Sequence, residues 1–339
     1  MGSANMYGKT VLVCSVLFVA LIVLALRIGH FDMTNGEFLD VIADTVTNSL
    51  RPDEELAHQV VFDIRLPRIM LAALVGAGLA VCGASLQGAF QNPLVSPDLL
   101  GVCSGAGFGC ALGILLFNEI GVPAAVLSFI FGIGSIVLVF FLSGAKRQSD
   151  MLSIVLSGII ASAIFTALIS LVKYVADTSD QLPAITYWLM GSFTNASFST
   201  MVYGAVPILV GTIMLLSVRW KINMLSLGDE DCRASGADPS RIRWTVIAMS
   251  ALCAAGCVVE SGIIGWVGLV IPHISRSLVG PNHGHSMPAA CIIGAIFMLA
   301  IDTVARNATA SEIPVGILTA LIGAPFFIVV YNRMRGPSA

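Results

Sequence analysis

Three residues near the start of the chain, Gly8-Lys9-Thr10, have the types that close a phosphate-binding loop, the element with which a protein hydrolyses ATP. Such a loop needs a glycine, four residues and then Gly-Lys-Ser/Thr, because that spacing curls backbone N–H groups around the phosphates between a strand and a helix. Here the spacing fails: five residues separate Gly2 from Gly8, and Ser3 stands where the first glycine belongs. ATP chemistry is not expected on this chain. The eight cysteines contain no C-x-x-C pair and lie mostly in or beside apolar stretches, so no disulfide framework is implied. Cys253 and Cys257, at i and i+4, could share a soft metal but read better as small apolar packing. His283 and His285 sit two residues apart in a predicted loop. No serine–histidine, paired-aspartate or zinc-ligand set occurs at helical spacing, which argues against a membrane-embedded enzyme. No metal or cofactor is expected. None of the five histidines falls at a span centre, so standing haem ligation has no support, and Met190, Met201 and Met214 read as packing.

The elements that must position any site are apolar runs. Residues 11–26 carry no charge and with their flanks approach the roughly 20 residues that cross a bilayer. A cleaved signal peptide would also have an apolar core, but no small-x-small cleavage site follows Leu26. The chain is 57% hydrophobic and 11% charged, against roughly 25% charged in soluble domains, with a mean hydropathy of +0.92. The fold class expected is all-α: a polytopic membrane protein of about ten transmembrane helices forming one domain over 1–339. The candidate spans lie near 10–27, 66–88, 98–117, 122–143, 152–173, 198–218, 243–261, 264–280, 288–304 and 313–331. The eighth is short and holds Pro272, His273 and Arg276, a broken segment of the kind tolerated where protein or a cavity satisfies the backbone.

Basic residues set the orientation, because cytoplasmic loops retain positive charge. With the N-terminus inside, Lys9, Lys146, Arg147, Arg219, Lys221, Arg233, Arg241, Arg243, Arg276, Arg333 and Arg335 are inner, 11 in all. Arg27, Arg51, Arg65, Arg68, Lys173 and Arg306 are outer, 6 in all. Both termini are therefore expected in the cytoplasm. The loop over 28–63 is acidic, and a net charge of −3 argues against nucleic acid as a partner.

Ion-coupled carriers keep ionisable groups near the membrane midplane. Here Asp98, Lys173, Glu260, His273, Arg276, Asp302 and Arg306 all fall toward predicted span ends. An ion-coupled secondary carrier, the rival class, is disfavoured, and the energy for transport must enter elsewhere. The longest inner loop, 219–244, holds a stretch from Ser226 to Gly236 that reads as a short surface helix: Ser226 as cap, Asp229, Glu230 and Asp231 in the first turn, Gly236 as terminator.

Four stretches together resemble one family: RLPRIMLAALVGAGLAVCGASLQGAFQNPLVSPDLLG (65–101), LSLGDEDCRASGADPSRIR (225–243), GIIGWVGLVIPHISRSLVG (262–280) and EIPVGILTALIGAPFF (312–327). They are similar to the FecCD-type permeases, the membrane subunits of ABC importers for iron-siderophore complexes, haem and vitamin B12. The resemblance implies a dimer, of identical or related chains, around a translocation path in the bacterial cytoplasmic (inner) membrane, served by two separate ATPase subunits and an outer substrate-binding protein. It implies no enzymatic activity on this chain. It makes 226–236, with Ser226, Leu227, Gly228, Asp229, Glu230, Asp231, Ala234 and Gly236, the coupling helix that meets the ATPase. It makes Arg65, Arg68 and Arg306 the docking residues for the binding protein, and Asn92 and Leu94 the cytoplasmic gate. Taken alone, Arg306 could pair with Asp302 and Arg65 with Asp63, and Asn92 and Asp98 could cap helices. A ferric siderophore is the expected substrate, with haem, cobalamin or an oxyanion left open.

Overall fold

The computed structural model describes residues 2–29, 31, 33–47, 55–144, 151–309 and 311–334. Lys146, Arg147 and Arg335, counted above as inner charge, and Arg51, counted as outer, lie outside them. The first helix, α1, is Gly2–Arg27. Two short helices follow on the outer side, α2 (Asn35–Thr47) and α3 (Glu55–His58). The chain winds through a π-helical stretch at Gln59–Arg65 into α4 (Leu66–Phe90), then a 3₁₀ turn at Pro97–Leu100. Next come α5 (Val102–Phe117), α6 (Val122–Leu142), α7 (Met151–Val175), α8 (Gln181–Leu189) and α9 (Phe198–Ser217). Two short inner helices, α10 (Arg219–Leu225) and α11 (Asp229–Ala234), lead to α12 (Pro239–Ser261), α13 (Val267–Val279), α14 (His283–Asn307) and α15 (Val315–Met334).

Each of the ten apolar runs falls on a helix. Seven of these, among the described residues, are long and apolar enough to cross a membrane by themselves; Val102–Phe117, Val267–Val279 and Val315–Val329 are shorter. The protein is thus an all-helical, multi-pass membrane protein. The eighth run differs most from expectation. Residues 262–265 are irregular, with Gly262 at φ 68°, and helix begins only at Val267, so α13 covers about 20 Å of the roughly 30 Å hydrocarbon layer. The ninth begins earlier than predicted: His283 and His285 lie in the first turn of α14, where Asn282 caps Gly284 N at 2.8 Å, rather than in a loop.

The core is organised on α4, whose apolar window is 89% buried although its sequence reads like any lipid-facing span. It packs on α14, α12, α13 and α9. Small residues allow this: a β-carbon at Gly76 would overlap the Gly294 carbonyl of α14, and one at Gly83 would overlap Gly268 of α13. Without a hydrophobic drive between helices in lipid, such close backbone approach supplies the dispersion that holds them. By contrast α1 is only 6% buried in its apolar window and touches the bundle near its outer end around Ala25, which meets Ile69 and Leu299, and near its inner end through Tyr7, stacked on His285.

Candidate functional site: inner gate, coupling segment and outer arginines

At the inner end, α4 stops because Gln91 turns left-handed, at φ 48°. The next residues form a tight non-helical turn: Asn92 Oδ1 accepts from Leu94 N at 3.0 Å, and Asn92 O from Val95 N at 3.3 Å. Asn92 therefore closes an Asx turn past the end of α4 instead of capping a helix. Asp98 sits inside the 3₁₀ turn, not at its cap. Asn92 and Leu94 are exposed, Leu94 to 45%.

The coupling segment is shorter than its sequence suggests. Helix α11 spans Asp229–Ala234, with Gly228 at φ 101° as its N-cap. Ser226 does not cap it: the residue continues the helical turn of α10, and its hydroxyl donates to the Asn223 carbonyl at 2.6 Å. Buried Ile222 and Leu225 anchor α10, which extends helix up to Ser226. Gly236, at φ 82°, ends α11 as expected; its N–H bonds Arg233 O and that of Ala237 bonds Cys232 O, the paired geometry of a Schellman terminus. Ser226, Leu227, Glu230, Asp231, Ala234 and Gly236 are exposed, and Gly228 and Asp229 half-buried.

Sequence reasoning did not anticipate the bonds that join these two regions. Arg243, on α12, grips Asp229 of α11 through Nη1 to Oδ2 (2.9 Å) and Nη2 to Oδ1 (2.5 Å), while its Nε donates to Ala89 O at 3.2 Å. One guanidinium thus ties α11 to the last turn of α4, just ahead of the turn at Asn92. Its hydrogen bond holds the Asp229 carboxyl below the usual carboxylate range. A second tie runs from Gln91 Nε2 to the Leu225 carbonyl. Beside them a 790 Å³ cleft opens, lined by Gln87, Gln91, Asn92, Leu227, Arg276 and His283 among others, with no carboxylate in its wall. Arg276 Nη2 donates to Gln87 Oε1 at 2.7 Å, leaving its other donors without an acidic partner among the described residues.

The outer arginines are all buried. Arg65, on the π-helical turn, donates to the carbonyls of Leu26 (2.7 Å), Arg27 (2.8 Å) and Phe31 (2.8 Å), against Gly29 where a β-carbon would clash. Arg68 binds Asp302 through Nη2 (2.8 Å) and Glu312 through Nη1 (2.8 Å). Arg306 donates to the Ala25 carbonyl. The local pairings read from sequence, Arg306 with Asp302 and Arg65 with Asp63, are thus replaced by contacts across elements. Glu312 also accepts from Thr194 Oγ1 at 2.8 Å. Burial would push its carboxyl up, but the hydrogen bond and charge of Arg68 outweigh that and hold it down. Acidic residues at outer span ends were the available signal, and Glu312, half-buried in the fold, carried it unused.

Cys253 and Cys257 are buried, with Cys253 Sγ beside Thr212 Oγ1 (3.5 Å) and Cys257 Sγ beside Val75 O (3.9 Å). Among the described residues no group of three or more His, Cys, Asp or Glu could hold a metal ion.

The arrangement, a helical bundle with a turn at its inner mouth tied to a short surface helix, suits a conduit moved from outside. Comparison with known proteins decides its kinship, since the model of the FecCD transport family matches residues 17–333. The chain belongs to the FecCD transport family. Relatives within it differ in cargo. The molybdate import system permease protein MolB of Haemophilus influenzae is 42% identical, over 97% of each chain. A Helicobacter pylori iron chelatin transport system permease is 36% identical, over 94% of this chain and 96% of its own. The hemin transport system permease HmuU of Yersinia pestis is 33% identical, over 94% and 95%. A solved inward-facing structure described as a metal-chelate type ABC transporter superposes with a TM-score of 0.85 at 40% identity, covering 96% of this chain and 99% of that one. FecCD chains are permease subunits of ABC importers, which work with ATPase and binding-protein partners.

Proposed function

We propose that this chain is the permease of an ATP-driven importer in a bacterial cytoplasmic membrane, that it pairs with a second copy or a related chain, and that its cargo is a tetrahedral oxyanion of the molybdate kind. One observation carries the choice of cargo: the inner cleft beside the gate turn presents Arg276 and no carboxylate. A guanidinium with free donors suits an oxyanion's planar pairs of oxygens. The higher identity to a molybdate permease supports the same reading.

In this reading two ATPase subunits dock on 226–236, and their closure is passed by Arg243 and Gln91 to the turn at Asn92 and Leu94. No ion need move through the bundle. The ATPases supply the hydrolysis, and this chain, acting as one domain, catalyses nothing itself. The outer binding protein lands around Arg65, Arg68 and Arg306, which frame that surface from within because their guanidinium groups are already engaged. A ferric siderophore is the second reading, favoured by the iron chelatin permease of Helicobacter pylori.

The test is uptake by proteoliposomes holding the permease, its ATPase and its binding protein. ATP-dependent accumulation of molybdate, weakened by Arg276→Gln, supports the oxyanion. Accumulation of a ferric chelate but not molybdate assigns the second reading, and accumulation of either without ATP refutes both.

A further inference from the structure

Between the outer ends of α6, α9 and α12 lies a 250 Å³ pocket, and a 490 Å³ groove runs from it along the same three helices. The two share Val122, Ala125, Tyr203 and Val259, so pocket and groove adjoin at these residues and differ in chemistry. The groove is walled by apolar side chains, including Val126, Phe129, Ile130, Val206, Val210 and Leu252. The pocket instead holds Asn195 and the carboxylate of Glu260, beside Ser192, Thr194 and Thr200, whose hydroxyls are engaged with Thr194, Glu312 and Ser197 respectively. Glu260 Oε1 accepts from Gly204 N at 2.6 Å, and no described lysine or arginine pairs with it. Pro207 has no N–H to offer the Tyr203 carbonyl four residues back, which leaves a second acceptor at the junction of pocket and groove. Tyr187 and Tyr203, 40% and 52% exposed, stand at the pocket rim, as amphipathic rings do at headgroup level.

A cavity apolar along its length, polar at its outer end and lined there by an unmatched carboxylate has the pattern of an amphiphile with an amine. Hydrocarbon alone, or an apolar helix from a second copy, would fill the groove and leave Glu260 without a cation, so charge complementarity selects the occupant. We propose that this cavity binds a zwitterionic aminophospholipid of the outer leaflet. One acyl chain lies in the groove, the phosphodiester sits beside the Asn195 amide, and the ammonium is held by Glu260 and the Tyr203 carbonyl.

The experiment equilibrates the full permease–ATPase complex in nanodiscs with equal parts phosphatidylethanolamine and phosphatidylglycerol, then counts retained lipids by mass spectrometry after transfer to detergent. The unaltered protein should retain phosphatidylethanolamine with about fivefold enrichment, the preference a partly screened ion pair gives. Replacing it by phosphatidylcholine, whose quaternary nitrogen offers no N–H, should abolish the enrichment without altering the protein. Glu260→Gln should do the same, and Val206→Trp should lower retention of both lipids. Equal retention of the two headgroups by the unaltered protein would overturn the proposal. So would enrichment indifferent to Glu260→Gln, or a cysteine at 206 that cross-links to the same position of a second copy.

Discussion

Charge is handled differently at the two ends of the bundle. At the outer end Asp302 is fully buried and Arg68 8% exposed by side chain, the guanidinium held between Asp302 and Glu312 from elements more than 230 residues away in sequence. At the inner end Asn92, Leu94 and most of 226–236 face solvent, and two ties, Arg243 and Gln91, hold the region to α4 and α10. The outer end is locked by interactions that are expensive to break. The inner end is held, among the described residues, by fewer and more exposed directional bonds. A tightly paired outer end beside a loosely tied inner turn suits the proposed conduit opened from the cytoplasm.

The largest effect should come from breaking the outer lock. Arg68→Ala strands the Asp302 carboxylate and should cost about 3–5 kcal/mol, read as a collapse of folded protein in detergent-based thermal unfolding. If Arg68→Ala behaves like a surface substitution, the contrast between the two ends is wrong. Next, Arg243→Gln should cut ATP-driven uptake by about tenfold or more, about 1.4 kcal/mol of coupling, while thermal stability changes far less than for Arg68→Ala.

A pH series sharpens the same point. The Asp229 carboxyl is held low by Arg243, so its pairing contributes fully above the ordinary carboxylate value near 3.9 and is lost as pH falls through the depressed folded value. The energy coupling 229 to 243 in a double-mutant cycle of nucleotide-dependent unfolding should therefore be flat from about pH 8 to 6 and fall only on strong acidification. Smallest in stability are changes at the proposed gate: Asn92→Ala and Leu94→Ala should shift unfolding by less than about 0.5 kcal/mol, yet raise passive leak of the proposed cargo from loaded vesicles.

Much of this was legible in the sequence where the physics is local. Hydropathy located all ten apolar runs, and Gly236 signalled a helix end because only a residue at ease with positive φ closes that turn. Other features depend on distant partners. Nothing near Arg68 announces Asp302 or Glu312, and the π-helical turn that sends Arg65 inward to the α1 carbonyls has no compositional signature. Ser226 has the type of a cap, but α10 runs into it and takes its hydroxyl for the Asn223 carbonyl. The break at 262–266 lies ahead of Pro272, His273 and Arg276, the residues that marked this run as irregular; all three sit inside continuous α13.

The central claim is that force from a partner ATPase enters at α11 and reaches the gate turn through Arg243. Its most direct test is the ratio of the proposed cargo imported to ATP hydrolysed in proteoliposomes of the complete complex carrying Arg243→Gln. The account predicts that hydrolysis persists while import per ATP falls about tenfold; an unchanged ratio, with the complex intact, would contradict it.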